Sequence, residues 1–431
     1  MLRSKAALAK LGSLRTYASA SSVAPTVLST ANGIKVAATE GHPDSPLASI
    51  SLVINHGSRF ETASTSGAAH YLKAFGFRNT QERTSFRTVR EAELNGATLT
   101  ASATRENITY TVQCFRDALP YFVDILGDIA AATKFSEHEF RDIAKLVKFE
   151  ALGARENPQA RVIDGVHQAA FRSGLGNSLY ALESSPVHTG DAVRQYAQSA
   201  MQSGRVAVVA TGVDAVTLAA LVGESKLAEL TNETAVVDSK AKFTGGVHQI
   251  YESAAPVSHY ALAFESDPSA ASALASLLGG QRRLKWGAGG ASPLAKLAFS
   301  EGFAAESFSF AYSDAALVGV LVSAPSAHIK AAVEKVAAVV QTSVARASPD
   351  AVARAVAATR LDVAEAQATQ QGVISELSKL ALGQGPLASL ETVDSVAASL
   401  AQTAAKVFSA KPVAASIGLS QTTAYVDTLG F

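Results

Sequence analysis

The sequence predicts an α+β protein of two homologous lobes, each a mixed, mainly antiparallel sheet packed with helices. Three observations predict it. At 431 residues the chain is too long for one ordinary core, so two units of roughly 200 residues are expected. An apolar content of 48% beside 17% charged residues describes a folded chain rather than a disordered one. Two landmarks then recur at nearly one offset. Val209-Ala210-Thr211-Gly212 matches Ser416-Ile417-Gly418-Leu419 at a shift of about 206 residues, and Ser136-Glu137-His138-Glu139 matches Ser348-Pro349-Asp350-Ala351 at about 212.

The elements of the first lobe follow from period and punctuation. Thr26–Ala38 reads as a strand pair turning at Asn32-Gly33. Ala48, Ile50, Leu52 and Ile54 alternate with smaller polar residues, as in a strand with one buried face. Gly67–Phe77 is a predicted helix, and Ser85–Leu94 a second one closed by Asn95-Gly96. Ala97–Ala103 and Ile108–Cys114 alternate as an antiparallel hairpin, turning at Arg105-Glu106-Asn107. Asp117–Thr133 is amphipathic, and Ser136 with Glu139 spells a capping box that opens a long helix to about Arg155. Arg205–Ala210 and Ala315–Ala324 read as buried strands. The polar stretch 231–246, ending in Gly245-Gly246, reads as the linker between lobes at 18–230 and 247–431.

Charge narrows the function. The formal net charge is zero, which gives no electrostatic footprint for nucleic acid. One cysteine, Cys114, excludes an internal disulfide and a multi-cysteine cluster, and it reads as a small buried apolar residue. Arg3, Lys5, Lys10 and Arg15 precede the first acidic residue, Glu40, among Ala, Ser and Leu. That is the composition of a mitochondrial transit peptide, and Arg15-Thr16-Tyr17 predicts a cut near Tyr17, so that 1–17 is removed. Removing those four cations from a chain of zero formal charge leaves about −4. The longest apolar run, Ala315–Ala324, is about half of the roughly 20 residues that span a bilayer, so membrane association is expected through partners.

A water-activating zinc site needs three protein ligands and a nearby base. His-x-x-Glu-His on a helix supplies two imidazoles on one face with the carboxylate between them. Here the helix reads His70-Tyr71-Leu72-Lys73-Ala74. Lys73 stands at the base position and Ala74 at the second ligand position. Alanine cannot bind zinc, and an ammonium repels a dication. His70 alone therefore reads as a packed, hydrogen-bonded histidine. On the long helix Phe140, Ile143, Val147 and Glu150 share a face. Buried there, Glu150 needs a partner, for which Lys73 is the candidate; at the edge of that face it reaches water instead.

These residues resemble the pitrilysin and mitochondrial-processing-peptidase family of inverted zinc peptidases. Gly67–Thr80 corresponds to the family's metal-binding helix, and Glu150 follows Ala74 by 76 residues, similar to the spacing of its distal glutamate. Thr84-Ser85-Phe86-Arg87, Gly96-Ala97-Thr98-Leu99, Ser102–Asn107 and Tyr110–Asp117 resemble the core-protein branch of the family. The likeness runs over most of the chain and is strongest from Ser49 to Asn177. Of the two histidines and the glutamate of active members, only His70 remains. Leu277–Gly290 corresponds to a glycine-rich presequence loop but is interrupted by Arg282, Arg283, Lys285 and Trp286. No Lys-Ser or Lys-Thr follows its glycines, so it is no phosphate loop.

The resemblance implies two pitrilysin-like lobes closing like a bowl, and no catalytic, cofactor-binding or metal-ligating residue. His70, Lys73, Ala74 and Glu150 are read as the remnants of a degenerate site. It further implies a structural subunit of respiratory complex III, peripheral on the matrix side of the mitochondrial inner membrane. The implied partners are core protein 1, cytochrome b, cytochrome c1 and the Rieske protein, with no cofactor and no nucleic acid. The alternative is a non-catalytic, presequence-binding subunit of a mitochondrial processing peptidase.

Overall fold

In the first half of the chain six strands form one sheet: β1 (Thr26–Ser29), β2 (Lys35–Thr39), β3 (Leu47–Ile54), β4 (Thr98–Ala103), β5 (Ile108–Phe115) and β6 (Val206–Thr211). Their order is β1-β2-β6-β3-β5-β4, with β2 and β6 parallel and every other pair antiparallel. Five strands form the second sheet: β7 (Val247–Tyr251), β8 (Val257–Ser266), β9 (Ala304–Ala311), β10 (Ala316–Pro325) and β11 (Val413–Gly418). Their order, β7-β11-β8-β10-β9, repeats β2-β6-β3-β5-β4 position for position, again with only the first pair parallel. The duplicated plan read from two short landmarks is therefore the topology of five strands in each described sheet, with β1 added to the first. The computed structural model describes residues 25–41, 45–231, 240–252, 255–280, 292–344, 347–385 and 390–431. The predicted targeting segment 1–17, residues 232–239 of the linker and 281–290 of the interrupted glycine stretch lie outside them.

Helices α1 (Ala68–Ala74), α2 (Ser85–Leu94), α3 (Leu119–Ala132), α4 (Glu137–Glu156), α5 (Pro158–Phe171), α6 (Gly190–Ala200) and α7 (Ala215–Glu224) belong to the first half. The second half carries α8 (Ala271–Leu278), α9 (Pro293–Glu301), α10 (Ile329–Val339), α11 (Pro349–Gln367), α12 (Gln370–Ala381), α13 (Leu390–Ala397) and α14 (Leu400–Val407). One face of the first sheet packs on α1, α3, α4, α6 and α7, through side chains such as Ile50, Leu72, Phe122, Val193 and Leu218. The matching face of the second sheet packs on α8, α10 and α14, around Phe264, Leu274, Val333 and Phe408.

The opposite faces are covered by exchange. Val162, Val166 and Ala170 of α5 pack on Ala261, Ala263, Ala415 and Ile417 of the second sheet. Reciprocally, Ile374, Leu377 and Ala381 of α12 pack on Ala37, Val53, Ala207 and Val209 of the first. Each half thus lends the other the helix that follows its long helix, α4 or α11. Burying three such side chains contributes several kcal/mol, at about 1.5–3 kcal/mol for a large apolar one. The approach is close enough to need glycine: a Cβ on Gly165 of α5 would stand 2.8 Å from His248 and 3.3 Å from Ala415.

Several local expectations shift. Ser136 does not close a reciprocal capping box, because its hydroxyl donates to the Glu139 carboxylate at 2.7 Å and the other oxygen of Glu139 accepts from the Asn79 N–H at 3.1 Å. Tertiary contact has taken the acceptor that local capping would use. Ser348, at the matching position of α11, does accept from the Ala351 N–H. The metal-helix counterpart is shorter than 67–77, since α1 stops at Ala74 and Phe77 adopts a φ of 60°.

Candidate functional site

The site is built on α1 and α4, two elements held apart by α2, β4, β5 and α3 in sequence. Gly67 begins α1 with a φ of 90°, and a Cβ there would meet the Ala181 methyl at 2.8 Å. The first N–H groups of α1 are satisfied from a distance. Glu61 accepts from Gly67 N and Ala69 N, each at 2.8 Å. Burial pushes the Glu61 carboxyl up to about 7, against the pull of those two N–H bonds. At the other end the Tyr110 hydroxyl donates to Leu72 O at 2.7 Å.

On this braced helix His70 and Lys73 both face Glu150 of α4. Glu150 Oε2 lies 2.7 Å from His70 Nε2 and 2.5 Å from Lys73 Nζ. The other ring nitrogen, His70 Nδ1, accepts from Ala181 N at 3.1 Å. Nδ1 thus uses its lone pair, which leaves Nε2 as the donor to Glu150 in a neutral ring. Burial holds the His70 pKa below its ordinary value, with Lys73 nearby opposing the pull of Glu150. For Glu150 burial acts to raise the pKa, but the bonds from Lys73 and His70 outweigh it and hold the carboxyl low. The Tyr180 ring meets the His70 ring edge-on at 5.4 Å.

The structure therefore brings His70, Lys73 and Glu150 together, with Ala74 buried one position further along α1. Zinc does not fit this set. Where the family pattern puts a second imidazole there is a methyl group, and the carboxylate oxygen that could bind a metal is occupied by an ammonium. Among the described residues no group of three His, Cys, Asp or Glu converges as a metal site. Replacing Lys73 by Met is expected to lower stability by about 1 kcal/mol, because the pair is only partly screened by protein. Urea unfolding of the variant beside the parent measures it. Glu61, Tyr180 and Ala181 were invisible as site residues in the sequence. A carboxylate six positions before Gly67 lies outside the local capping pattern, and a backbone N–H carries no side-chain signature.

Beside the site lies a cavity of about 970 Å³ between the two halves, lined by Tyr71, Val147, Leu152 and Tyr180 on one side and His248 and Phe310 on the other. Its described charged lining comprises Arg105, Lys148, Arg155 and Arg161 against Asp164 and Glu183. Arg105, in the hairpin turn Arg105-Glu106-Asn107, lines this space. Arg105 donates to Asp164 at 2.6 Å and to Leu175 O at 3.0 Å. Glu106 accepts from Ser313 N and Oγ of the second half, the latter at 2.6 Å, and pairs with Arg59 at 2.8 Å. Arg59 also holds Asp314 at 2.6 Å. Asn107 and Gln384 exchange amide hydrogen bonds of 2.8 and 2.9 Å.

Comparison with known proteins accounts for both halves. The model of insulinase, peptidase family M16, matches residues 36–182, and that of the M16 peptidase inactive domain matches 188–359. Over 411 residues the chain is 33% identical to the mitochondrial cytochrome b-c1 complex subunit 2 of Cryptococcus neoformans, covering 93% of each chain. The Homo sapiens subunit 2 is 30% identical over 419 residues, with 92% of this chain and 90% of that one covered. A probable mitochondrial-processing peptidase subunit alpha-2 of Arabidopsis thaliana is 34% identical, but over 235 residues, 54% of this chain and 46% of the other. The full-length likeness is thus to the subunit 2 proteins and the partial one to the peptidase subunit, in line with the resemblance read from the α1 to α4 strings. With both halves matched and the repeated sheet plan of the fold, this chain belongs to peptidase family M16.

Proposed function

We propose that this chain is a non-catalytic structural core subunit of mitochondrial respiratory complex III, supporting the assembly that carries electrons from ubiquinol to cytochrome c. The observation that carries the reading is the Lys73 ammonium 2.5 Å from Glu150, beside the Ala74 methyl, where a peptidase of this family needs a base and a second imidazole. The metal site is a degenerate one, and its remnants His70, Lys73 and Glu150 serve to tie α1 to α4. The subunit sits on the matrix side of the inner membrane, against core protein 1, and holds no cofactor of its own. Cytochrome b, cytochrome c1 and the Rieske protein carry out the redox chemistry. Among the described residues no helix is long and apolar enough to cross a membrane, which suits attachment through those partners.

The alternative, a presequence-binding half of a processing peptidase, is opposed by charge. Presequences are basic, and the described lining of the cavity carries four fixed cations against two carboxylates. Native electrophoresis of solubilised mitochondria separates the two readings. The chain is expected to co-migrate with a large haem-bearing membrane complex, and migration as a matrix heterodimer overturns the proposal. Restoring the ligand set with Lys73→Glu and Ala74→His is expected to yield no peptidase activity, because the cavity remains basic and Ala74 lies buried. Measured cleavage of a presequence peptide by that double variant contradicts this.

A further inference from the structure

Two hairpin tips that meet between the halves occupy matching places in the repeat. The turn between β4 and β5 carries Glu106 and Asn107, and the turn between β9 and β10 carries Tyr312, Ser313 and Asp314. The tips dock on each other, since Glu106 accepts from the Ser313 N–H and hydroxyl. Arg59 of the first half clamps the pair. It binds Asp314 through two parallel hydrogen bonds, of 2.7 and 2.6 Å, while holding Glu106.

Each tip is also bound from the helix that the other half supplies. The Tyr312 hydroxyl of the second half donates to His167 of α5, the first-half helix that lies on the second sheet. Conversely, Asn107 of the first half exchanges amide hydrogen bonds with Gln384, three residues beyond α12, the second-half helix that lies on the first sheet. Gln384 also reaches Asn55, at the end of β3, at 3.1 Å. The exchange is thus reciprocal in its polar contacts as well as its apolar ones. Even the described end of the linker is fastened to α5: Thr244 N donates to Ala170 O at 2.7 Å, and the Phe243 ring meets that of Phe171 edge-on at 6.3 Å.

We infer that the halves form a clasp within one chain, held shut by the exchanged helices and the docked tips, and that the covalent link through residues 232–239 is not needed to keep them together. An exchanged helix cannot leave without exposing two apolar surfaces at once, its own and that of the sheet it covers. Both helices must leave together for the halves to part, and the buried hydrogen bonds of the tips must break with them. A short flexible connection supplies an effective concentration of about millimolar order. That matters only to an association weaker than this one.

The test inserts a protease recognition sequence between residues 232 and 239 of the full chain and cuts it after folding. The two pieces are expected to co-elute as one particle at about 1 μM, far below the effective concentration that the link supplied. Separation of the pieces at that concentration, without denaturant, overturns the inference. Two variants then ask whether the helices do the holding. Gly165→Val places a branched side chain where a Cβ alone would stand 2.8 Å from His248. Leu377→Ala removes most of a buried side chain of α12 from the first sheet and introduces no clash. Uncut, both are expected to elute like the parent; once cut, their pieces should separate on dilution at concentrations about tenfold higher or more than the parent's. If the pieces of either variant hold as firmly as those of the parent, the role given to that helix is refuted.

Discussion

Glu106→Ala is expected to destabilise the folded chain by about 3–5 kcal/mol, the cost typical of removing one partner from a buried ion pair. Glu106 is a residue of a hairpin turn, a place where substitutions are usually mild. Here its carboxylate takes the Arg59 guanidinium on one side and the N–H and hydroxyl of Ser313 on the other. All of this is buried between the halves, with the Glu106 side chain 10% exposed. Alanine leaves the Ser313 donors unpaired and Arg59 with Asp314 as its remaining carboxylate. Urea unfolding of parent and variant measures the difference. A loss under 1 kcal/mol means that water replaces the carboxylate and that the network contributes little.

His167→Gln is expected to cost about 2 kcal/mol at pH 7, and to cost progressively less as the solution is acidified. His167 lies on α5, fully buried where that helix crosses to the second sheet. Its Nδ1 donates to Ile163 O and its Nε2 accepts from the Tyr312 hydroxyl, each at 2.7 Å. Glutamine loses this pair of bonds, at about 1 kcal/mol each. Burial, assisted by the charge of Arg105, lowers the His167 pKa from 6.5 to about 3. The native ring is therefore neutral while the unfolded ring takes up a proton. Its contribution is complete above about pH 6.5 and is lost as the pH falls through the window down to 3. Within that window each such group changes stability by about 1.4 kcal/mol per pH unit. The gap between parent and variant should thus close by about 2 kcal/mol between pH 6.5 and 5. A gap that stays constant refutes the neutral buried ring. The parent's own slope is shallower than two histidines imply. His56 is likewise lowered to about 3 by burial and Arg205. Glu61 acts the other way: its carboxyl, raised to about 7, contributes most below about pH 4.5 and loses that contribution as the pH rises through 7.

Much of this molecule was legible in its residues because the relevant signals are local. Alternation placed β3, β4 and β5 to within two residues, but the single buried face read for β3 was too few, because Ser49, Ser51 and Val53 are buried as well, Val53 under α12. The missing imidazole and the exchanged charge at Lys73 and Ala74 are matters of identity, which no fold can alter. Other features were not legible because they depend on partners remote in sequence. The capping box at Ser136 failed when Asn79 claimed Glu139. The Arg105-Glu106-Asn107 turn was read as a turn and nothing more, although Glu106 and Asn107 fasten one half of the molecule to the other.

By itself the sequence determined the duplicated plan and the helix that cannot grip zinc, and it left Glu150 of α4 either paired with Lys73 or reaching water. Only the tertiary structure decided that α5 and α12 are exchanged between the halves, that Glu61 supports the start of α1, and that Glu150 takes both His70 and Lys73. The physical reason is range. Hydrophobic period and residue identity act over a few positions of chain, whereas the covering of a sheet face, or the partner of a buried carboxylate, is settled by whichever distant segment packs there with its polar groups satisfied.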